Sequence, residues 1–403
     1  MGLSFENENN GRIFTATHHG NALGYVAIDS TVGGRSCGGL RMLPDIDQAE
    51  IQALARSMTL KYGFLGLPQG GAKAGVFGNP ESSHQERLKR LVEFGQAIAP
   101  LLRSRAYVPN ADMGTVNADI RHMLNAVGVR VSCRDLQENS SGYYTALSVR
   151  TAVVQSAHHT GLNLAGCTAA IEGFGNVGRP LASLLETEDI KVVAISTSQG
   201  ALYNPQGLNV DRLARLSKEA GSRVVELYHD AEFVHRERLF ELPVDILCPC
   251  ARWNSLNMSN VHRIAAKVVC PGANNPVTPD AERVLMNRGV LCLPDFVTNC
   301  GGVLGGTMEF ASVNKETINT FIDRYLGARI ASLLKEAKSK NQLPRDVAVP
   351  CALARFNQVV QRAGHPTPLS RLFNLGLRFY RHGWIPGHLV APLSLRYFEK
   401  ILT

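Results

Sequence analysis

The segment running from Thr168 to Gly178 constrains the fold most. A short apolar run, Thr168-Ala169-Ala170-Ile171, leads into Gly173-Phe174-Gly175-Asn176-Val177-Gly178, and helix-compatible residues continue from Val177 to Leu185. In a strand–turn–helix setting, glycines at this spacing allow a tight turn, close approach of a diphosphate and packing of the helix on the strand. The start of such a helix also offers N–H groups and the positive dipole end to an anion. A purely structural glycine turn is the competing reading. More short apolar runs follow at 191–195, 244–247, 267–269 and 289–291, each closed by Gly, Pro, Ser or Asn, with helical stretches between most of them. That alternation predicts a doubly wound α/β domain whose parallel strands are buried on both faces.

The second strand of such a unit usually ends in an acid that binds the adenine ribose. Here the run is Ala194-Ile195-Ser196-Thr197-Ser198-Gln199, without a carboxylate. Its hydroxyls suit a 2′-phosphate, but no arginine stands beside them, so NAD and NADP both remain open. Later strand ends carry Cys248-Pro249-Cys250-Ala251, Pro271-Gly272-Ala273-Asn274-Asn275 and Pro294 to Gly302. Buried asparagines need partners, so Asn274 and Asn299 are expected to face a ligand or a fixed backbone network.

The first part of the chain has a different texture. Residues 1–30 read as short extended pieces, followed by Gly33-Gly34 and Gly38-Gly39. Asp47 and Glu50 resemble a capping box, and Ile51, Leu54, Ala55, Met58 and Tyr62 recur at helical spacing until Gly63 and Gly66. Lys61 lies at the edge of that stripe, where a lysine ordinarily snorkels to water near a helix C-terminus. Lys73 is more unusual, because Gly70, Gly71 and Gly75 keep the backbone around it thin. A second helix is expected over about 85–102. Asp112 follows a short apolar strand and either caps the next helix or, if Asn117 or Asp119 does so, is left available. Another helix is expected from Tyr143 to His158.

A chain of 403 residues allows two or three domains. No window approaches about 18 consecutive apolar residues, so no membrane span is expected. Met1 to Asn7 lacks the layout of a secretory signal, which makes a cytoplasmic location the default. The nine cysteines include no C-x-x-C pair and read as free thiols. His18-His19 and His158-His159 are sequence neighbours that point apart, so no metal site is expected. Residues 361–403 carry six basic residues against the single acid Glu399. They form no basic run with regularly spaced aromatics. A solvated surface or a subunit contact is expected there, not nucleic-acid binding.

Taken together, these segments resemble the glutamate/leucine/phenylalanine/valine dehydrogenase family over roughly residues 33–312. The resemblance rests on Gly38-Gly39-Leu40-Arg41-Met42, Met58-Thr59-Leu60-Lys61, Gly70-Gly71-Ala72-Lys73, Asp112-Met113-Gly114-Thr115, Gly173 to Gly178, Gly272-Ala273-Asn274 and Asn299 to Val303. It implies NAD(P)-dependent oxidative deamination of an L-amino acid to a 2-oxo acid and ammonia. Lys61 would bind the α-carboxylate, Lys73 would be the general base, and Asp112 would exchange protons with the amino group. Gly39, Met42, Asn299 and Gly306 would line the substrate site. Gly173, Gly175, Asn176, Val177, Gly178, Thr197, Thr145, Cys250, Ala251, Asn274 and Asn299 would serve the cofactor.

The resemblance also implies an organisation. Residues 1–140 would form a substrate and oligomerisation domain with a mixed sheet, and 141–300 the dinucleotide-binding domain. Residues 301–360 would form helices returning to the first domain, and 361–403 a basic extension without an assigned role. A homo-oligomer is expected. Glutamate-specific members place a lysine where this chain has Gln52 and a serine where it has Gly306, so a bulky apolar or aromatic substrate is expected, although Arg35 offers an alternative charge for an acidic one. The alternative function is a catalytically inactive paralogue that binds nucleotide and acts through partners. Retention of Lys61, Lys73 and Asp112 together argues against it.

Overall fold

Strand-forming residues in the first part of the chain assemble into a mixed six-stranded sheet in the computed structural model, which describes residues 1–8, 11–137 and 140–403. The strands are β1 (Gly2–Glu8), β2 (Gly11–His18), β3 (Asn21–Ile28), β4 (Ser36–Leu43), β5 (Gly70–Phe77) and β6 (Tyr107–Ala111), in the order β1-β2-β3-β5-β4-β6. The β1–β2, β2–β3 and β3–β5 pairs are antiparallel, whereas β4 runs parallel to both β5 and β6. This sheet belongs to a unit made of Met1–Asn139, Phe310–Ser312 and Cys351–Arg396. Its main core joins Val26, Leu40, Ala72 and Val76 of the sheet to Leu91, Phe94, Ile120 and Met123 of flanking helices. Each large apolar side chain buried in this way contributes about 1.5–3 kcal/mol.

The predicted helix after Asp47 spans Gln48–Leu65. Asp47 accepts from the Ala49 amide, and Gly66 ends the helix in the left-handed region at φ 72°. Glu50 departs from the expected capping role: its side chain is buried and pairs with Arg41. The helix lies directly on β5. A Cβ added at Gly71 would come within 2.7 Å of the Ala55 carbonyl oxygen, so only glycine admits this approach. The single helix expected over 85–102 is two, His84–Ala97 and Ala99–Arg103, divided where Pro100 removes a donor.

The second unit comprises Ser140–Glu309, Val313–Pro350 and Tyr397–Thr403. Its seven-stranded sheet contains β7 (Thr168–Glu172), β8 (Lys191–Thr197), β9 (Gly200–Tyr203), β10 (Glu232–Val234), β11 (Ile246–Pro249), β12 (Val268–Val269) and β13 (Leu291–Cys292). The order is β10-β9-β8-β7-β11-β12-β13. The five predicted strands are the parallel part, while β9 and β10 extend one edge as antiparallel strands that the apolar runs did not announce. Arg345 ties this unit together by pairing with Glu282 and Asp295, both buried carboxylates.

Candidate active site

Strand register brings the lysine motif and the aspartate motif together in the first unit. Cys37 pairs with Gly71 and Leu40 with Ala74 on one side of β4, which places Gly39 beside Lys73. On the other side Gly39 pairs with Asn110 and Leu40 with Ala111, the residue before Asp112. Side chains at matching positions of neighbouring strands share a face. Lys73 and Asp112 accordingly meet as an ion pair, with Lys73 buried and the Asp112 side chain 18% exposed. Gly39 leaves the room they use: a Cβ there would lie 2.9 Å from Asp112 Oδ2 and 3.0 Å from Lys73 Nζ.

Asp112 is not consumed by helix capping. Asp119 accepts from the Val116 amide at 3.2 Å and starts the helix Asn117–Ala126. Thr115 accepts from the Asp112 amide at 3.0 Å and donates to the Leu40 carbonyl at 2.8 Å, fixing the turn against β4. The carboxylate itself takes the Met113 amide on Oδ1 at 2.8 Å and an Arg41 nitrogen on Oδ2 at 3.3 Å. Burial alone would raise the Asp112 carboxyl, but Lys73 and Arg41 outweigh it and hold it well below the ordinary carboxylate range. Burial lowers the Lys73 amine and Arg41 adds to this, against the opposing pull of Asp112 and Glu50. A lysine lowered in this way gives up a proton more readily than one in water.

Lys61 does not snorkel. It is 5% exposed, within the buried face of Gln48–Leu65. Met42 is packed in the core with its side chain against Gly78. Gln52 is half-buried on the same helix as Lys61, and Arg35 is exposed on the turn before β4. Burial lowers the Arg35 guanidinium, as do the charges of Arg105, Arg381 and Arg378.

In the second unit the residues expected to serve a dinucleotide gather at the carboxyl ends of the parallel strands, where ligands of such sheets bind. Gly173 has φ 89°, and a Cβ on it would contact Ala251 at 3.0–3.1 Å. The helix Gly178–Glu186 begins without a side-chain cap. A Cβ at Gly272 would lie 2.5 Å from Cys250 Sγ and 3.2 Å from Val177 Cγ1, so three separate loops converge. Gly175 and Asn176 are exposed at the turn. Asn299 donates to the Ala273 carbonyl at 2.8 Å and to Asn274 Oδ1 at 3.2 Å. Its own Oδ1 is buried without a protein partner, an acceptor suited to an N–H of a bound ligand. Thr145 donates to the Ser141 carbonyl at 2.8 Å and borders Gly302, three residues after Asn299. Gly306 lies half-buried on the helix Gly301–Phe310. These features fit a dinucleotide.

Two of the three hydroxyls after Ile195 have internal partners. Ser196 accepts from the Gly173 amide at 3.1 Å, and Thr197 donates to the Ser222 carbonyl at 2.7 Å. Glu172, which the sequence reading passed over, ends β7 immediately before the glycine turn. Burial pushes its carboxyl up to about 7, against the Ser255 hydroxyl that donates to it at 2.9 Å. An acid at the end of the first strand of the motif was the available signal.

Family models agree with both units. The model described as "Glu/Leu/Phe/Val dehydrogenase, dimerisation domain" matches residues 13–128, and "Glutamate/Leucine/Phenylalanine/Valine dehydrogenase" matches 138–364. An NAD-specific glutamate dehydrogenase of Staphylococcus aureus is 34% identical over 309 residues, spanning 72% of this chain and 73% of the relative. A hetero-hexameric glutamate dehydrogenase of Thermus thermophilus, solved in a Leu-bound form, superposes with a TM-score of 0.74 at 23% identity over 86% of each chain. An L-tryptophan dehydrogenase of Nostoc punctiforme gives a TM-score of 0.59 at 22% identity over 89% of this chain and 96% of that one. The last two likenesses concern the fold. With both family models matched across its two units, the chain belongs to the glutamate/leucine/phenylalanine/valine dehydrogenase family and is an amino acid dehydrogenase.

Proposed function

We propose that this enzyme carries out the reversible NAD(P)-dependent oxidative deamination of a non-acidic L-amino acid with a bulky apolar or aromatic side chain. The observation that carries the reading is the ion pair of buried Lys73 with Asp112 in the space left by Gly39. When bound, the nicotinamide supplies the oxidant for the α-carbon. Lys61 binds the α-carboxylate, and Lys73, as the free amine, takes a proton from water attacking the imino acid. Asp112 exchanges protons with the departing amino group. Asn299, with one buried acceptor uncommitted to the protein, orients an N–H of the substrate or of the nicotinamide carboxamide. Gly173, Gly175, Asn176, Val177 and Gly178 would hold the diphosphate. Thr197, Cys250, Ala251 and Asn274 would flank the dinucleotide, and Thr145 its carboxamide.

Relatives named for glutamate and for tryptophan share the fold, so individual side chains distinguish the substrate class. Gln52 and Gly306 supply no cation or hydroxyl for a side-chain carboxylate. An unpaired carboxylate in a desolvated pocket costs several kcal/mol, whereas Gly306, with no side chain of its own, takes up none of the volume that an apolar group needs. Assembly into a homo-oligomer through the first unit follows the description of the matching dimerisation domain.

A screen of L-amino acids with NAD and with NADP, read by absorbance of the reduced cofactor, tests the proposal. Turnover is expected with leucine-sized or aromatic substrates and not with glutamate; efficient turnover of glutamate alone would refute the substrate class. Lys73→Ala is expected to reduce kcat by at least about 10²-fold, the usual range for removing a general base, with cofactor affinity unchanged.

A further inference from the structure

We propose that Arg41 is a positioning residue for proton transfer: anchored by Glu50, it locks the Asp112 carboxylate in orientation and keeps Lys73 ready to release its proton. The inference rests on Lys73 being the base, as proposed above. Arg41 lies on β4 two residues after Gly39 and is 5% exposed. One guanidinium nitrogen pairs with Glu50, itself buried on the helix that covers β5. A second, Nη2, reaches Asp112 Oδ2 at 3.3 Å, the same oxygen that Lys73 takes. With the Met113 amide on Oδ1, the carboxylate is gripped from three directions, and a planar guanidinium supplies the directional part of that grip.

The charge arrangement gives Arg41 a second consequence. Lys73 on β5 faces Asp112 from the end of β6, Arg41 from β4 and Glu50 from the covering helix. Lys61 is buried on that same helix, while Tyr107 and Cys37 are nearby groups that burial keeps neutral. Without Arg41, two carboxylates would act on one ammonium and hold its proton. By pairing with Glu50, Arg41 offsets the pull of that carboxylate on Lys73 and leaves Asp112 as its direct ionic partner, and burial then favours the free amine. The two partners of this contact therefore pull the Lys73 proton in opposite senses.

The opposed senses make the test specific. Arg41→Met, Arg41→Lys and Glu50→Gln are compared with the parent enzyme in kcat and kcat/KM against pH, with cofactor affinity and melting temperature as checks on folding. Arg41→Met is expected to lower kcat by roughly 10–100-fold and move the acidic limb of the kcat/KM profile to higher pH by about one unit. Glu50→Gln is expected to move that limb to lower pH. Arg41→Lys keeps the charge but not the fork, so the limb returns toward its parental position while kcat stays depressed. A limb that stays fixed in all three variants, whatever happens to kcat, overturns the inference and leaves Arg41 a structural residue. If Arg41→Met fails to fold, Glu50→Gln and Arg41→Lys decide alone: a Glu50→Gln limb that stays or rises refutes it. Retention of full activity by Lys73→Ala would sink the underlying mechanism instead, whereas loss of activity there with unmoved limbs sinks only the role of Arg41.

Discussion

Replacing Gly39 with alanine adds one methyl group at the centre of the candidate site. That Cβ would lie 2.8 Å from Asp112 Cβ, 2.9 Å from Asp112 Oδ2 and 3.0 Å from Lys73 Nζ, closer than carbon tolerates. Lys73 Nζ and Asp112 Oδ2 are side-chain ends that can swing aside, whereas Asp112 Cβ yields only with a small shift of its backbone just past β6, because β4 is held on both edges by β5 and β6. Relief therefore displaces both the amine and the carboxylate. The stability cost should fall at the low end of overpacking, about 1 kcal/mol. A displacement approaching 1 Å at a reacting group costs on the order of 10²-fold in rate. Gly38→Ala is the matched control, since its Cβ would be driven into the Ala72 backbone carbonyl, which cannot swing aside. Gly38→Ala should be strongly destabilised, and Gly39→Ala should fold but turn over slowly. Steady-state kcat and a denaturant titration on both proteins measure the two effects. Parental kcat in Gly39→Ala, or equal loss of stability in the two variants, would show that the space beside Lys73 is not what this glycine provides.

Two other changes probe the second unit. Arg345→Met would strand Glu282 and Asp295, 2% and 1% exposed, without their shared cation. Breaking a buried pair by removing one partner costs about 3–5 kcal/mol, and a denaturant midpoint corresponding to less than about 1 kcal/mol would contradict the assignment. Glu172 gives a pH prediction whose sign follows from its raised carboxyl, ordinarily 4.5 and here about 7. The folded protein takes up this proton more readily than the unfolded chain, so its contribution is fully present at low pH and is lost as pH rises through that window. The loss reaches about 3 kcal/mol at most. Glu172→Gln should flatten the dependence of melting temperature on pH between 5 and 8, and an unchanged slope would refute it.

Much of the cofactor-binding unit was legible because its signals are local. Apolar runs closed by turn residues mark strands wherever both faces of a sheet are buried, and the Gly173 to Gly178 spacing answers to the geometry of one turn. The antiparallel strands β9 and β10 escaped notice because strands of three or four residues carry too little periodicity to stand out.

The lysines and the aspartate were visible as motifs, but what they do to one another was not. Spacing on the helix Gln48–Leu65 left Lys61 with a path to water, and packing in the first unit closed it. Glu50 looked like a helix cap until Arg41, nine residues earlier in sequence on a neighbouring strand, drew it inward. Asp112 became available because Asp119 took the capping role. Local sequence determines which segments coil and which extend, since backbone sterics and hydrophobic period act within a few residues. Tertiary structure alone decides which charges become neighbours: the β4–β5 and β4–β6 registers join residues 34 and 71 apart, and burial then sets the proton affinities of the groups they bring together.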